Sequence, residues 1–324
     1  MNKRMRPCMG LLAALSAVAC STVAAQGFPE RPVMILQSST AGSGPDVFLR
    51  TGVNLMAEGL KQPVTVDARP GAQGTVAAMA VKGAQSDGYT LLFNHSGNMI
   101  MDPVLGPVPF DTSKDFKPIS VAYYTLAIIT VPGSSNVRTV ADLVAAGRAR
   151  PEGIFYGSAS TSTDLLVALV AQAVGAKFVP VPYKGVPQVM TDVAAGRVDF
   201  GVGTPQPTIK SLVDAGKMRI IGMVWPNRID QLPYPTLVES GIPVQRSLTW
   251  FGLFAPANTP DAVVRTLHRE FTRAFGSPAV REAALGQGAA VTLSDTPEDF
   301  ARLIESDKVT VAKVIRDLNL KSAK

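Results

Sequence analysis

The chain has 324 residues, a formal net charge of +6, 46% hydrophobic and 17% charged residues, and only two cysteines, Cys8 and Cys20. The charge excess is small, and no run of Lys and Arg is interleaved with aromatics, which argues against a nucleic-acid-binding surface. The 28 Gly and 25 Pro are scattered through apolar segments, a pattern of many short turns between helices and strands and not of disorder.

The N-terminus reads as a secretory signal. Lys3, Arg4 and Arg6 form a positive region, Met9 to Ala19 is apolar, and Val23-Ala24-Ala25 supplies the small residues needed before a cleavage site. The apolar run is too short for a membrane span, so the sequence predicts an exported, soluble protein with residues 1–25 removed. Ala17-Val18-Ala19-Cys20 loosely matches a lipoprotein box. Cleavage after Ala25 is the preferred reading over lipidation at Cys20, because leucine is usual where Ala17 stands. Either way Cys8 is lost and no disulfide can form within the mature chain, so cysteine is neither a staple nor a metal ligand. Three of the 31 basic and none of the 25 acidic residues lie before Gln26, so the mature excess is +3. A mature chain of this length predicts two domains.

Strand and helix signals then alternate. Val33 to Leu36 reads as a buried strand ending in the loop Ser38 to Gly44. A helix follows from Pro45, with Phe48, Gly52, Met56 and Leu60 four apart and Leu49 and Val53 widening the stripe. Val64 to Val66 is a strand, Gly74 to Gly83 an Ala-rich helix, and Thr90 to Phe93 a strand. This βαβαβ order predicts a parallel sheet covered by helices. The middle of the chain repeats it: strands at Ala127–Val131, Ile154–Tyr156, Phe178–Val181 and Val198–Val202, and a helix at Asp164–Val174. Thr139 with Asp142 forms a capping box for a further helix. Gly196 and Gly216, each followed by a basic residue and a strand, are helix-closing C′ glycines. The last quarter is helical, with starts at Thr259-Pro260, Ser277-Pro278 and Thr296-Pro297, each a capping hydroxyl before proline. Val263, Val264, Leu267, Phe271 and Phe275 make one apolar face; Phe300, Leu303, Ile304, Val311, Val314, Ile315 and Leu318 make another. Two α/β lobes joined by more than one crossing would enclose a cleft.

Four loops follow predicted strands, where open α/β sheets bind ligands. The first, Thr40 to Asp46, holds Ala41, Gly42, Ser43 and Gly44 at a helix start, so backbone N–H groups, the helix dipole and a hydroxyl could hold an anion. A tight turn that simply needs glycine explains the same residues. The second holds His95, Ser96 and Gly97. The third, Ser158, Ser160, Thr161, Ser162 and Thr163, has more hydroxyls than one helix cap requires. The fourth is Tyr183-Lys184-Gly185. Catalysis has weaker support: His95 beside Ser96, with Asp102 nearby, suggests a triad, but the chain lacks a G-x-S-x-G elbow and paired metal-ligand spacing. His95 is read as a cleft-lining donor, and His268, between charged neighbours, as a solvated surface residue.

At these loops the chain closely resembles the periplasmic substrate-binding proteins of tripartite tricarboxylate transporters, the Bug family. The matching stretches are FPERPV, TAGSGPD, RPGAQG, SDGYTLLFNHSG, VPFDTSKDFKPIS, IFYGSAS, VPVPYKG, AAGRVDFG and LTWFGLFAPANTP, running in order from Phe28 almost to the C-terminus. The resemblance implies an α/β, two-lobed Venus-flytrap fold with mostly parallel sheets. Residues 26–126 and 251–324 would form lobe 1, and 127–250 lobe 2. It implies capture of a small organic carboxylate by neutral donors, with Thr204 standing where an acidic or polar residue is common. Asp46 cannot face a carboxylate directly; it would orient a loop or a water, or meet an amino or hydroxyl group of the ligand. The first loop lacks the family's usual aromatic, which implies a ligand different from the commonest ones.

The expected protein is therefore a periplasmic, monomeric solute-binding protein. It would be no enzyme, would use no cofactor or metal, and would bind no nucleic acid. Its partners would be the carboxylate and either permease subunits of a tripartite tricarboxylate transporter or a sensor kinase. A secreted serine-type hydrolase using Ser96 or a serine-loop hydroxyl, and an orphan protein serving ligand sensing alone, are the alternatives.

Overall fold

The computed structural model describes residues 27–244 and 246–317. The signal segment 1–25, Cys20 and Leu318 lie outside the described residues. The first stretch runs β1 (Val33–Gln37), α1 (Gly44–Leu60), β2 (Val64–Ala68), α2 (Thr75–Lys82), β3 (Thr90–His95), the short helices α3 (Asp102–Leu105) and α4 (Thr112–Asp115), and β4 (Phe116–Thr125). The middle runs β5 (Ala127–Pro132), α5 (Val140–Ala149), β6 (Ile154–Ser158), α6 (Thr161–Val174), β7 (Phe178–Pro182), α7 (Val186–Ala194), β8 (Phe200–Gly203), α8 (Pro207–Asp214) and β9 (Met218–Val224). The last runs β10 (Trp250–Pro256), α9 (Asp261–Phe275), α10 (Pro278–Gly286), β11 (Ala289–Val291) and α11 (Pro297–Asp317).

Two sheets result. The first has the order β11-β4-β10-β3-β1-β2 and the second β7-β6-β8-β5-β9. Both are covered on two faces, so their central strands read as apolar runs, while the edge strands β2 and β7 are only partly buried. In the first sheet Ile35, Leu91, Phe93 and Leu253 pack against α1 and α9, while Leu36, Leu92 and Phe254 pack on the opposite side with α2 and α11. In the second, Ile129 and Val131 face α5 and α6, and Leu126 and Ile128 face α7 and α8. That is the period-two alternation of a strand.

The local signals hold in several places. Phe48, Leu49, Gly52, Val53, Met56 and Leu60 are the buried stripe of α1. Gly52 lets α9 come close, since a Cβ there would stand 2.4 Å from the Phe275 ring. Thr139 and Asp142 form the reciprocal capping box of α5, and Gly196 and Gly216 have φ of +71° and +68°. Thr296 Oγ1 accepts from the Asp299 N–H. Two of the three expected hydroxyl caps make no cap bond: Thr259 donates its hydroxyl to the Pro256 carbonyl, and Ser277 sits at the N-cap of α10 with its buried hydroxyl unpartnered among the described residues. His268 is half-buried rather than solvated, with Nε2 2.9 Å from the Ser294 carbonyl.

The sheets are mixed rather than mostly parallel. β1 pairs in parallel with β2 and β3, and β6 with β7 and β8. β10 is antiparallel to both β3 and β4, β11 to β4, and β5 to both β8 and β9. The physical reason is the crossing. β4 passes into β5 through Leu126 alone, so β5 enters the second sheet from the junction end, against the strands that leave by βα crossovers. β4, β10 and β11 had escaped the periodicity reading. Lys117, Pro118 and Ser120 interrupt the apolar pattern of β4, whose pairing with β10 also shifts register twice.

Candidate functional site

The strand ends facing the junction of the two sheets frame two adjoining cavities. The first, about 900 Å³, is lined at the junction by Thr125, Ser160, Ser162, Thr163, Thr204, Gln206, Ser247 and Thr249. The second, about 590 Å³, lies between Gly44, Pro45, Tyr123 and Phe251 on the first sheet's side and Thr204, Gln206 and Pro207 on the second's. Thr125, Thr204 and Gln206 line both, so the cavities meet there. The chain crosses at this place twice, and the Thr125 N–H donates to the Thr249 carbonyl at 2.9 Å across the crossings. Gly288, with φ +72°, lets the halves touch: a Cβ there would stand 3.0 Å from Thr204 Cβ.

The first predicted loop reaches the second cavity through Gly44. Ala41 and Gly42 are exposed, and two of the loop's expected donors turn inward. Gly42, with φ +78°, donates its N–H to Asp46 Oδ2 at 2.8 Å, and Ser43 donates its hydroxyl to the Thr40 carbonyl at 2.6 Å. Asp46 is buried and also accepts from Gln37 Nε2 at 2.7 Å and Arg50 Nε at 2.9 Å. Burial raises its pKa, but the Arg50 hydrogen bond, the Gly42 amide and the Arg50 charge together hold it below its ordinary value. Asp46 thus locks the loop's shape.

The second loop is fastened to its neighbours. His95 Nε2 lies 3.1 Å from the Gln73 carbonyl, and its Nδ1 accepts the Asn98 N–H at 3.4 Å. Burial, the largest influence, lowers its pKa against the opposing Asp102 charge and Gln73 bond, so the ring is neutral and Nε2–H is the donor to Gln73. His95 therefore ties β3 to the RPGAQG turn, where Ala72 and Gln73 have positive φ. Ser96 is buried, and its Oγ accepts the Trp250 N–H at 3.1 Å. Among the described residues no hydrogen bond joins Ser96 to His95. Gly97 allows the ring's approach, since a Cβ would stand 2.7 Å from His95 Nδ1.

The third loop contributes most. Ser160 Oγ accepts the Thr163 N–H and caps α6, while also lying within 3.1 Å of the Ser162 and Thr163 hydroxyls. These three side chains line the first cavity; Thr161 and Ser158 do not. The Ser158 carbonyl instead accepts the Tyr183 N–H at 2.7 Å, tying the third loop to the fourth. In the fourth loop Tyr183 donates its hydroxyl to Asp192 at 2.8 Å. Tyr183, Lys184 and Gly185 stand beside the cavity without lining it, where the following Val186 and Pro187 do.

Thr125, Gln206, Ser247 and Thr249 were missed, as were the aromatic walls Tyr123 and Phe251. Only the LTWFGLF stretch pointed to any of them, because the rest sit at crossings whose strands carry weak periodicity. Among the described residues no acidic side chain lines either cavity, and Lys217 is the one ammonium in the first. No described group of three or more His, Cys, Asp or Glu could hold a metal ion. The arrangement offers hydroxyl, amide and backbone donors around an uncharged mouth, which suits an anion.

Comparison with known proteins gives a consistent result. The family described as "Tripartite tricarboxylate transporter family receptor" matches residues 48–320. A UPF0065 protein in the tcbD-tcbE intergenic region of Pseudomonas sp. (strain P51) is 32% identical, over 98% of this chain and 95% of that protein. An R. palustris protein solved with adipate is 28% identical, with a TM-score of 0.69, covering 90% of this chain and 98% of the other. A TctC solute-binding protein from Polaromonas, 23% identical over 90% of this chain and 100% of the other, shares the fold with a TM-score of 0.79.

Proposed function

Since the chain belongs to the tripartite tricarboxylate transporter receptor family, whose members are periplasmic solute-binding proteins, we propose that it is exported and captures a small organic carboxylate between two lobes. Lobe 1 takes residues 27–126 with 250–317, and lobe 2 residues 127–249, one residue from the expected boundary because Trp250 opens β10 of the first sheet. The observation that carries this reading is the shared mouth at Thr125, Thr204 and Gln206, with the α6 hydroxyls alongside and no carboxylate among the described lining residues. The two crossings beside it act as the hinge, and closure brings Gly44 and the α6 hydroxyls onto one ligand. Binding by neutral donors lets the anion leave when the lobes open, for delivery to membrane permease subunits. A relative solved with adipate supports an organic acid as the ligand.

The test is thermal unfolding of the secreted chain, stripped by denaturing and refolding, against mono-, di- and tricarboxylates, amino acids and neutral solutes. An acid at 100 times its Kd should add about 2.7 kcal/mol, at about 2–4 °C per kcal/mol for domains of this size. A selective shift with acids is expected. Shifts confined to neutral solutes, or none with any acid, would refute carboxylate capture.

A further inference from the structure

The first cavity does not end at the junction. It continues between α7 and α8 on the outer face of the second sheet, past Met190 and Thr191 on one side and Leu212 and Ala215 on the other, to Lys217. From Thr208 to Ala215 the helix rises about 10 Å, at 1.5 Å per residue. The register places the end of this furrow away from the hinge: β9 sets Val224 opposite Ala127 at the junction and Met218 opposite Pro132 at the far edge. Lys217, just before Met218, is exposed. The carboxylate nearest to it in sequence, Asp214, is paired with Lys210 at 2.7 Å, and Lys217 pairs with no carboxylate among the described residues. The cavity thus has a hydroxyl-rich end at the hinge, a largely apolar middle and a cation at the far end.

We propose that the α7–α8 furrow is a distal ligand subsite. It takes the apolar body of an elongated acid along Met190, Leu212 and Ala215, and Lys217 meets a second anionic group at the acid's far end. This rests on the carboxylate reading of the cleft and deepens it. Apolar length is selected because each methylene leaving water tightens binding about three- to fourfold. The second charge is selected because an unpaired ammonium beside an apolar wall favours an anion over a methyl terminus.

Calorimetric titration of the secreted chain with adipate, suberate and sebacate, and with hexanoate, octanoate and decanoate, tests this. Affinity should rise along the diacids, with sebacate at least tenfold tighter than decanoate. Lys217→Gln should abolish that preference. Ala215→Trp, at an exposed position, should weaken sebacate at least tenfold and leave adipate within twofold, with an unchanged melting temperature. A flat length series with adipate still bound, equal binding of sebacate and decanoate, or indifference of sebacate to both variants would overturn the subsite alone. Failure of every acid to bind would overturn the carboxylate reading and the subsite together.

Discussion

Asp46 shows how one side chain can decide what a loop offers. Its carboxylate sits in the first turn of α1, where the helix dipole favours negative charge, and it gathers Gln37, the Gly42 amide and Arg50. Without it, the buried Gln37 amide and the Gly42 N–H would lose their acceptor, at a cost of about 1–3 kcal/mol. The folded pKa lies below the ordinary value of 3.8, so the native state favours the ionised form. The stabilisation is therefore complete above that value and is lost as pH falls through it towards the folded pKa. Asp46→Asn should lower the melting temperature at pH 7 and make its decline below about pH 4 shallower than in the parent. Parallel acid-melting curves for the two proteins would contradict this role.

At the scale of one element, α6 separates capping from recognition. Ser160 is the N-cap and holds the Thr163 amide, whereas Ser162 makes no cap bond and lines the cavity. Ser160→Ala should cost about 1 kcal/mol of stability and some affinity as well. Ser162→Ala should leave unfolding by urea within about 0.5 kcal/mol of the parent and weaken the bound acid roughly tenfold, as expected for a hydrogen bond to a charged group. If Ser162→Ala destabilised the fold as much as Ser160→Ala and left binding alone, the hydroxyl cluster would be a cap and nothing more.

Across the whole molecule, α11 joins what the crossings separate. Its Val311 and Val314 share a cluster with Leu165 and Ala168 of α6 and with Trp250 and Phe254 of the first sheet, and Gln172 donates to Asp317 at 3.1 Å. At its middle the buried Asp307 accepts from Arg246 at 2.6 Å and from Trp250 Nε1 at 2.7 Å. The Arg246 guanidinium lies 5.2 Å from the centre of the Tyr124 ring. Both crossings are thereby anchored to one helix. Asp307→Ala would leave the Arg246 charge and the Trp250 N–H without their acceptor, so a loss of about 3–5 kcal/mol is expected by chemical denaturation. A loss under about 1 kcal/mol would show that the anchor is dispensable.

The sequence by itself determined the helices and strands whose pattern is local. The α1 stripe from Phe48 to Leu60, the Thr139 capping box and the C′ glycines 196 and 216 were legible because each depends on residues within a turn or two. It also determined the α6 hydroxyl cluster and, through ordered motifs along the chain, the family. Tertiary structure alone decided the rest, because sheet partners and cavity walls are set by residues far apart in the chain. β4 and β10 were invisible to periodicity, yet their antiparallel pairing carries Tyr123 and Phe251 to the second cavity. Thr125, Ser247 and Thr249 acquire a role only where two crossings meet. In the first loop the residue types were right, but only the fold showed that Asp46 draws Gly42 inward, because a hydrogen bond to a buried carboxylate outcompetes solvent once Gln37 and Arg50 hold that carboxylate in place.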